Sequence, residues 1–170
     1  MRPVLRAAAA VLMSLAAAGP SLGVWQTSVG PDYDGVEVMI IINISEAGQA
    51  MFLSCRKDRI TALGYLEPDD ATNVDTIPAE NVPIMAIAND QNETIVSEGE
   101  FFRADAGRLG ILYTNAEDVP AIAASIGRAR EVVQLTLTVP NLSFEQVITF
   151  DVAGAAEAAS GFGAYCSGTP

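Results

Sequence analysis

Between Glu131 and Val152 two runs of apolar residues alternate with polar ones, and this pattern restricts the possible folds more than any other feature of the chain. Val133, Leu135, Leu137 and Val139 alternate with Gln134, Thr136 and Thr138. Phe144, Ile148, Phe150 and Val152 alternate with Glu145, Thr149 and Asp151. A period of two gathers one set of side chains on one face of a strand, whereas a helix would scatter them around its circumference. Pro140-Asn141-Leu142-Ser143 interrupts the pattern with turn-forming residues, so the two runs predict a hairpin. Residues 154–164 are rich in small side chains and predict a short helix that delivers Cys166 to the body of the protein.

The same alternation recurs earlier. Val36, Val38, Ile40, Ile42 and Ile44 share one face of a strand whose other face carries Glu37, Met39, Ile41, Asn43 and Ser45. Apolar residues on both faces predict a central strand covered on both sides. Glu46–Gln49 turns the chain into a strand over 50–55, and Arg56-Lys57-Asp58 forms a charged turn into a strand over 59–66. Successive hairpins of this kind predict an antiparallel meander. Further strands are expected over 24–29, 82–88, 93–96 and 108–114, with 97–106 less regular and 67–81 a polar surface loop. Trp25, the one tryptophan, is expected in the core with its N–H satisfied. Asp118 is placed to cap a helix that tolerates Pro120 in its first turn. That helix turns Ile122 and Ile126 inward and sets Arg128 and Arg130 at its C-terminal end. The expected class is mainly β with some α: an antiparallel β-sandwich or open barrel, with two short helices in the C-terminal half.

Arg2 and Arg6 precede an uncharged apolar run, Ala7–Ala18, and small residues follow at Gly19, Ser21 and Gly23. This order is that of a secretory signal peptide over 1–23, leaving 24–170 as one β-rich exported domain. Cleavage after Ala18 is the alternative site, and retention as an N-terminal anchor the alternative fate. The run falls short of the roughly 20 residues that a membrane helix needs, so no stable span is expected after cleavage. Export places the chain in the periplasm or outside the cell. There the two cysteines, Cys55 and Cys166, are expected to form a disulfide. It closes a loop of more than a hundred residues, for which chain entropy sets an upper stabilisation of about 4–5 kcal/mol. The spacing is unlike the CxxC of redox or metal pairs.

The formal net charge is −12 and Lys57 is the one lysine. Phosphate backbones and anionic lipid surfaces need clustered cations, so nucleic acid is excluded as a partner and lipid adsorption is disfavoured. A basic protein partner is electrostatically acceptable. No histidine occurs, which removes the commonest general base, the familiar triads and most zinc sites. Lys57 sits in a charged turn, where a solvated amine has no reason to lose its proton. No phosphate-cradling loop or catalytic signature occurs, and no cofactor, metal or catalytic residue is assigned.

The carboxylates leave one catalytic option. Glu98 with Glu100, or Asp69 with Asp70, have the residue type for glycoside hydrolysis. In a chain this acidic the plainer reading of such pairs is solvated surface. Asp32, Asp34 and Gly35 share a fragment of a calcium-loop pattern without its further ligands, and read as a solvated turn. Arg103 and Asp105 read as a surface ion pair worth roughly 0–1 kcal/mol. Asn43, Asn92 and Asn141 begin glycosylation triplets that matter only on a eukaryotic secretory route. Three functions remain: a non-catalytic binding or accessory module of the envelope, a small carboxylate-dependent hydrolase of envelope glycans, and an inhibitor or immunity-type protein.

One resemblance rests on short motifs. Phe102-Arg103-Ala104-Asp105-Ala106-Gly107, the helix from Asp118, the paired strands, Phe150-Asp151-Val152-Ala153-Gly154 entering a helix, and the closing Cys166 follow one another in order. Cys55 lies in a strand before a charged turn. This layout resembles the type VI secretion-associated VasI-like family of small exported proteins. Ala104 stands where that pattern has an aromatic residue, and the tail after Cys166 lacks one. The resemblance implies a small exported protein and brings no catalytic residue with it.

Overall fold

The computed structural model describes residues 22–32, 34–57, 61–68, 81–103, 109–114 and 118–168. The expected signal peptide lies outside them apart from Leu22 and Gly23, and so does most of the loop expected over 67–81.

Among the described residues the strands are β1 (Gln26–Pro31), β2 (Glu37–Ile44), β3 (Ala50–Arg56), β4 (Thr61–Leu66), β5 (Ile84–Asn89), β6 (Thr94–Glu98), β7 (Glu100–Arg103), β8 (Leu109–Tyr113), β9 (Val132–Val139) and β10 (Phe144–Asp151). Helix α1 (Asp118–Arg128) precedes β9, and helix α2 (Ala155–Ser167) follows β10. Two antiparallel sheets result, ordered β1-β2-β3-β4-β8-β7 and β10-β9-β5-β6. The expected hairpin forms across a single 3-10 turn, Pro140–Leu142, closed by Ser143 in the left-handed region. Its register pairs Phe144 with Val139 and runs without a bulge to Asp151 opposite Val132.

The sheets face each other across one core. Ile41, Leu53, Leu63 and Tyr65 of the large sheet meet Met85, Ile87, Leu135, Leu137 and Phe150 of the small one. Each such side chain, fully buried, contributes roughly 1.5–3 kcal/mol over its exposed state. Val119, Ile122 and Ile126 of α1 and Phe162 of α2 complete the cluster. The helices pack on one another, α2 against β2 and β3, α1 against β4 and β5, so the pair bridges the two layers. The result is a sandwich and not a closed barrel.

The large sheet is also buried on its other face. Val38, Ile40, Ile42, Phe52, Leu66, Phe102 and Leu112 form a second cluster there. Two-sided cover of β2 thus follows from its apolar residues on both faces. Phe52 lies flat over Gly64 of the neighbouring strand, and a Cβ at Gly64 would overlap the ring.

β7 lies in the stretch whose sequence looks irregular. Gly99 separates it from β6, and the two short strands belong to different sheets. A Cβ at Gly99 would come within 2.6 Å of Ile111 Cγ2, so only glycine lets the chain cross the corner there. At the opposite border Val24 forms a parallel bridge with Ala153. Trp25 is buried, and its indole N–H donates to the Asp151 carbonyl at 2.9 Å.

Candidate functional site

The disulfide is formed between Cys55 in β3 and Cys166 in α2, with a Cα–Cα distance of 5.9 Å. It pins the last helix to the large sheet beside a polar cluster. Lys57 Nζ lies 3.0 Å from Glu37 Oε1, and the Tyr165 hydroxyl donates to the same oxygen at 3.1 Å. The bond from Lys57, and after it that from Tyr165, holds the Glu37 carboxyl below its usual range. Burial first, and the Glu37 carboxylate second, push the Tyr165 phenol up to about 12. Lys57 is therefore an ion-pair partner at the surface.

Of the carboxylate pairs singled out above, Glu98 and Glu100 are divided between the two sheets. Glu98 ends β6 and Glu100 begins β7, on either side of the Gly99 corner, and both are exposed. Asp69, Asp70 and Asp105 lie outside the described residues. Among the described residues no group of three or more His, Cys, Asp or Glu is arranged to hold a metal ion.

Asp32 differs from the expected solvated turn. Its side chain is fully buried and lies 2.9 Å from Arg56 Nη1, while Oδ1 accepts the backbone N–H groups of Asp34 and Val36. Arg56 likewise ends β3 inside the protein instead of standing in a charged turn. Two charges at this depth are tolerated because each has the other. Asp118, expected at the cap of α1, stands at its N-terminal end. It is the first residue of α1, and its Oδ2 accepts the Tyr113 hydroxyl.

A polar clamp ties α1 to the β5–β6 turn. The buried Asn89 side chain donates to the Ser125 carbonyl at 3.0 Å and to Ser125 Oγ at 3.1 Å. Asp90 accepts the backbone N–H of Arg130 at 2.8 Å and of Glu131 at 3.2 Å. The Arg130 N–H is the leading cause that lowers the Asp90 carboxyl to about 2. Arg128 grips Glu93 through Nε and Nη2, the nearest contacts being 2.9 Å, and lowers the Glu93 carboxyl. These groups are occupied in holding the fold.

Among the described residues, one surface with room for a ligand lies at the border of the two sheets. An open groove of about 990 Å³ runs beside Val147–Asp151 of β10. Its other wall is Leu22–Val24, of which cleavage after Gly23 leaves Val24, with Ser45, Glu46, Ala47 and Gln49 of the β2–β3 turn. That turn is fixed: Ser45 Oγ accepts the Gln49 N–H at 3.2 Å, and the Gln49 side chain donates to the Tyr65 hydroxyl at 3.3 Å. The charged lining residues are Glu46, Glu131 and Asp151. With carboxylates as its charged groups, the wall attracts cationic ligands and repels anionic ones. Sequence reading missed this groove, because its walls come from four separated segments. The alternation that identifies β10 as a strand carries no sign that one of its edges is free.

The fold defines the class first: a disulfide-bonded, two-sheet antiparallel β-sandwich with a helix pair across its side. No family model matches the chain, and no curated protein matches it. Among solved structures, invasion associated protein B from Bartonella henselae shares the fold, with a TM-score of 0.51 and 13% sequence identity. The match covers 84% of this chain and 92% of that one. Among the described residues no helix is long and apolar enough to cross a membrane.

Proposed function

We propose that this chain is an exported, non-catalytic binding or accessory module of the cell envelope, working in the periplasm or beyond it. The observation that carries the reading is the open groove beside β10, walled by carboxylates and apolar side chains. Such a surface recognises by shape and charge. The disulfide suits an oxidising compartment. The sequence resemblance to the VasI-like proteins agrees with export. An association with invasion, carried by the name of the structural neighbour, suits a protein that recognises instead of transforming.

The test is retention of a partner from a periplasmic extract on the immobilised, disulfide-bonded protein at native salt. A saturable partner is expected, and its binding should weaken as salt rises. An extract that leaves nothing bound rejects the reading. Cleavage of an envelope glycan that disappears in the Glu98→Ala, Glu100→Ala double variant would put a hydrolase in its place.

A further inference from the structure

We propose that the groove beside β10 receives an extended, cationic segment of a partner protein, which adds to the small sheet as a further strand. This rests on the binding-module reading and names the partner's chemistry and the mode of contact.

β10 ends its sheet, and among the described residues no strand pairs with its outer edge. The direction of its backbone groups follows from one carbonyl. Asp151 O points away from β9, because it accepts both Trp25 Nε1 and Asn43 Nδ2 at 2.9 Å. In an antiparallel ladder successive residues turn their N–H and C=O alternately to one edge and the other. The register with β9 is unbroken from Phe144 to Asp151. Glu145, Val147 and Thr149 therefore also turn their backbone groups outward. The groove is lined by the consecutive residues Val147 to Asp151. A cleft over one face of a strand would touch alternate residues, so this one lies alongside the edge.

This edge has only part of the usual protection, the carboxylates of Glu145 and Asp151 near its ends. Natural edge strands are guarded by lysine, proline or a bulge. β1, at the end of the other sheet, finishes in Gly30-Pro31. β10, Phe-Glu-Gln-Val-Ile-Thr-Phe-Asp, has neither residue, and its register is continuous. Val147 is 56% exposed in the middle of it.

Charge selects the occupant. Glu46, Glu131 and Asp151 line the groove, and Glu145 stands further along the edge. Lysine or arginine flanking an apolar residue opposite Val147 complements this wall. A second copy of the chain would bring the same carboxylates against themselves at a net charge of −12 per molecule. Strand addition takes its affinity from backbone hydrogen bonds and its selectivity from alternate side chains.

The experiment adds an end-blocked nonapeptide of alternating Lys and Val to the oxidised, exported protein, with a Glu–Val nonapeptide as control. Amide exchange and chemical shifts are read by NMR. Binding of the Lys–Val peptide should slow exchange at Glu145, Val147 and Thr149, while Gln146 and Ile148, already bonded to β9, change little. Val147→Pro removes an outward N–H without cutting the β9 ladder and should weaken binding at least tenfold. Should that variant unfold, the exposed pair Glu46→Lys, Glu131→Lys serves instead, with the same expected loss. The proposal is overturned by no binding of the Lys–Val peptide, by equal binding of the Glu–Val peptide, by binding without protection at alternate amides, or by self-association that protects the same edge. A periplasmic partner held equally well by native protein and Val147→Pro leaves the binding module standing and removes strand addition. No periplasmic partner for the native protein removes the module itself.

Discussion

The two sheets are finished differently. β2, β3 and β4 of the large sheet are buried on both faces, and β3 ends in Arg56, paired with the buried Asp32, and is bonded through Cys55 to α2. β9 and β10 of the small sheet bury alternate residues only, and β10 leaves one edge unpaired among the described residues. One half invests its sequence in stability. The other keeps backbone groups and apolar side chains within reach of a partner, at some risk of unwanted pairing.

The contrast breaks first at the disulfide. Cys166→Ser, measured by urea unfolding, should lose about 4–5 kcal/mol at most by loop entropy, since 111 residues separate the two cysteines. A loss below about 1 kcal/mol would mean that the large sheet does not need its tether. Asp32→Asn keeps the turn acceptor but leaves Arg56 buried without its nearest charge, and should cost about 3 kcal/mol in the same assay. Gly64→Ala drives a methyl group into Phe52 and should cost about 1–3 kcal/mol.

The small sheet sharpens the comparison from the other side. The Asp90 carboxyl is lowered to about 2 in the folded protein. A depressed native pKa contributes stability above the unfolded value of about 4, and that contribution is lost as pH falls through the native value. Asp90→Asn should therefore flatten the dependence of stability on pH across that acidic window, with little change of slope near neutrality. Val147→Thr should shift stability by no more than about 0.5 kcal/mol, because the side chain is mostly exposed. A much larger loss would show that the β10 edge is structural after all.

Much of this was readable in the sequence wherever the signal is local. The alternation around Ile40 and Leu135 identifies strands, the apolar residues on both faces of β2 announce two-sided burial, and Ile122 and Ile126 mark the buried stripe of α1. The cysteine pairing was legible by elimination once export was assumed. What stayed hidden depends on distance along the chain. Arg56 resembles a surface charge until Asp32 is brought to it, and β7 resembles a loop until β8 pairs with it. The groove was invisible for the same reason: strand order decides which edge is free, and neighbours in sequence do not record strand order.

The Cys55–Cys166 bond also has a consequence in time. The chain grows from its N-terminus at roughly 5–20 residues per second. Cys55 accordingly waits on the order of 5–20 s before Cys166 has been made. Throughout that interval β3 carries a thiol without its mate, and the terminal helix cannot be fastened. Whatever oxidises the pair can act only after nearly the whole chain has been made.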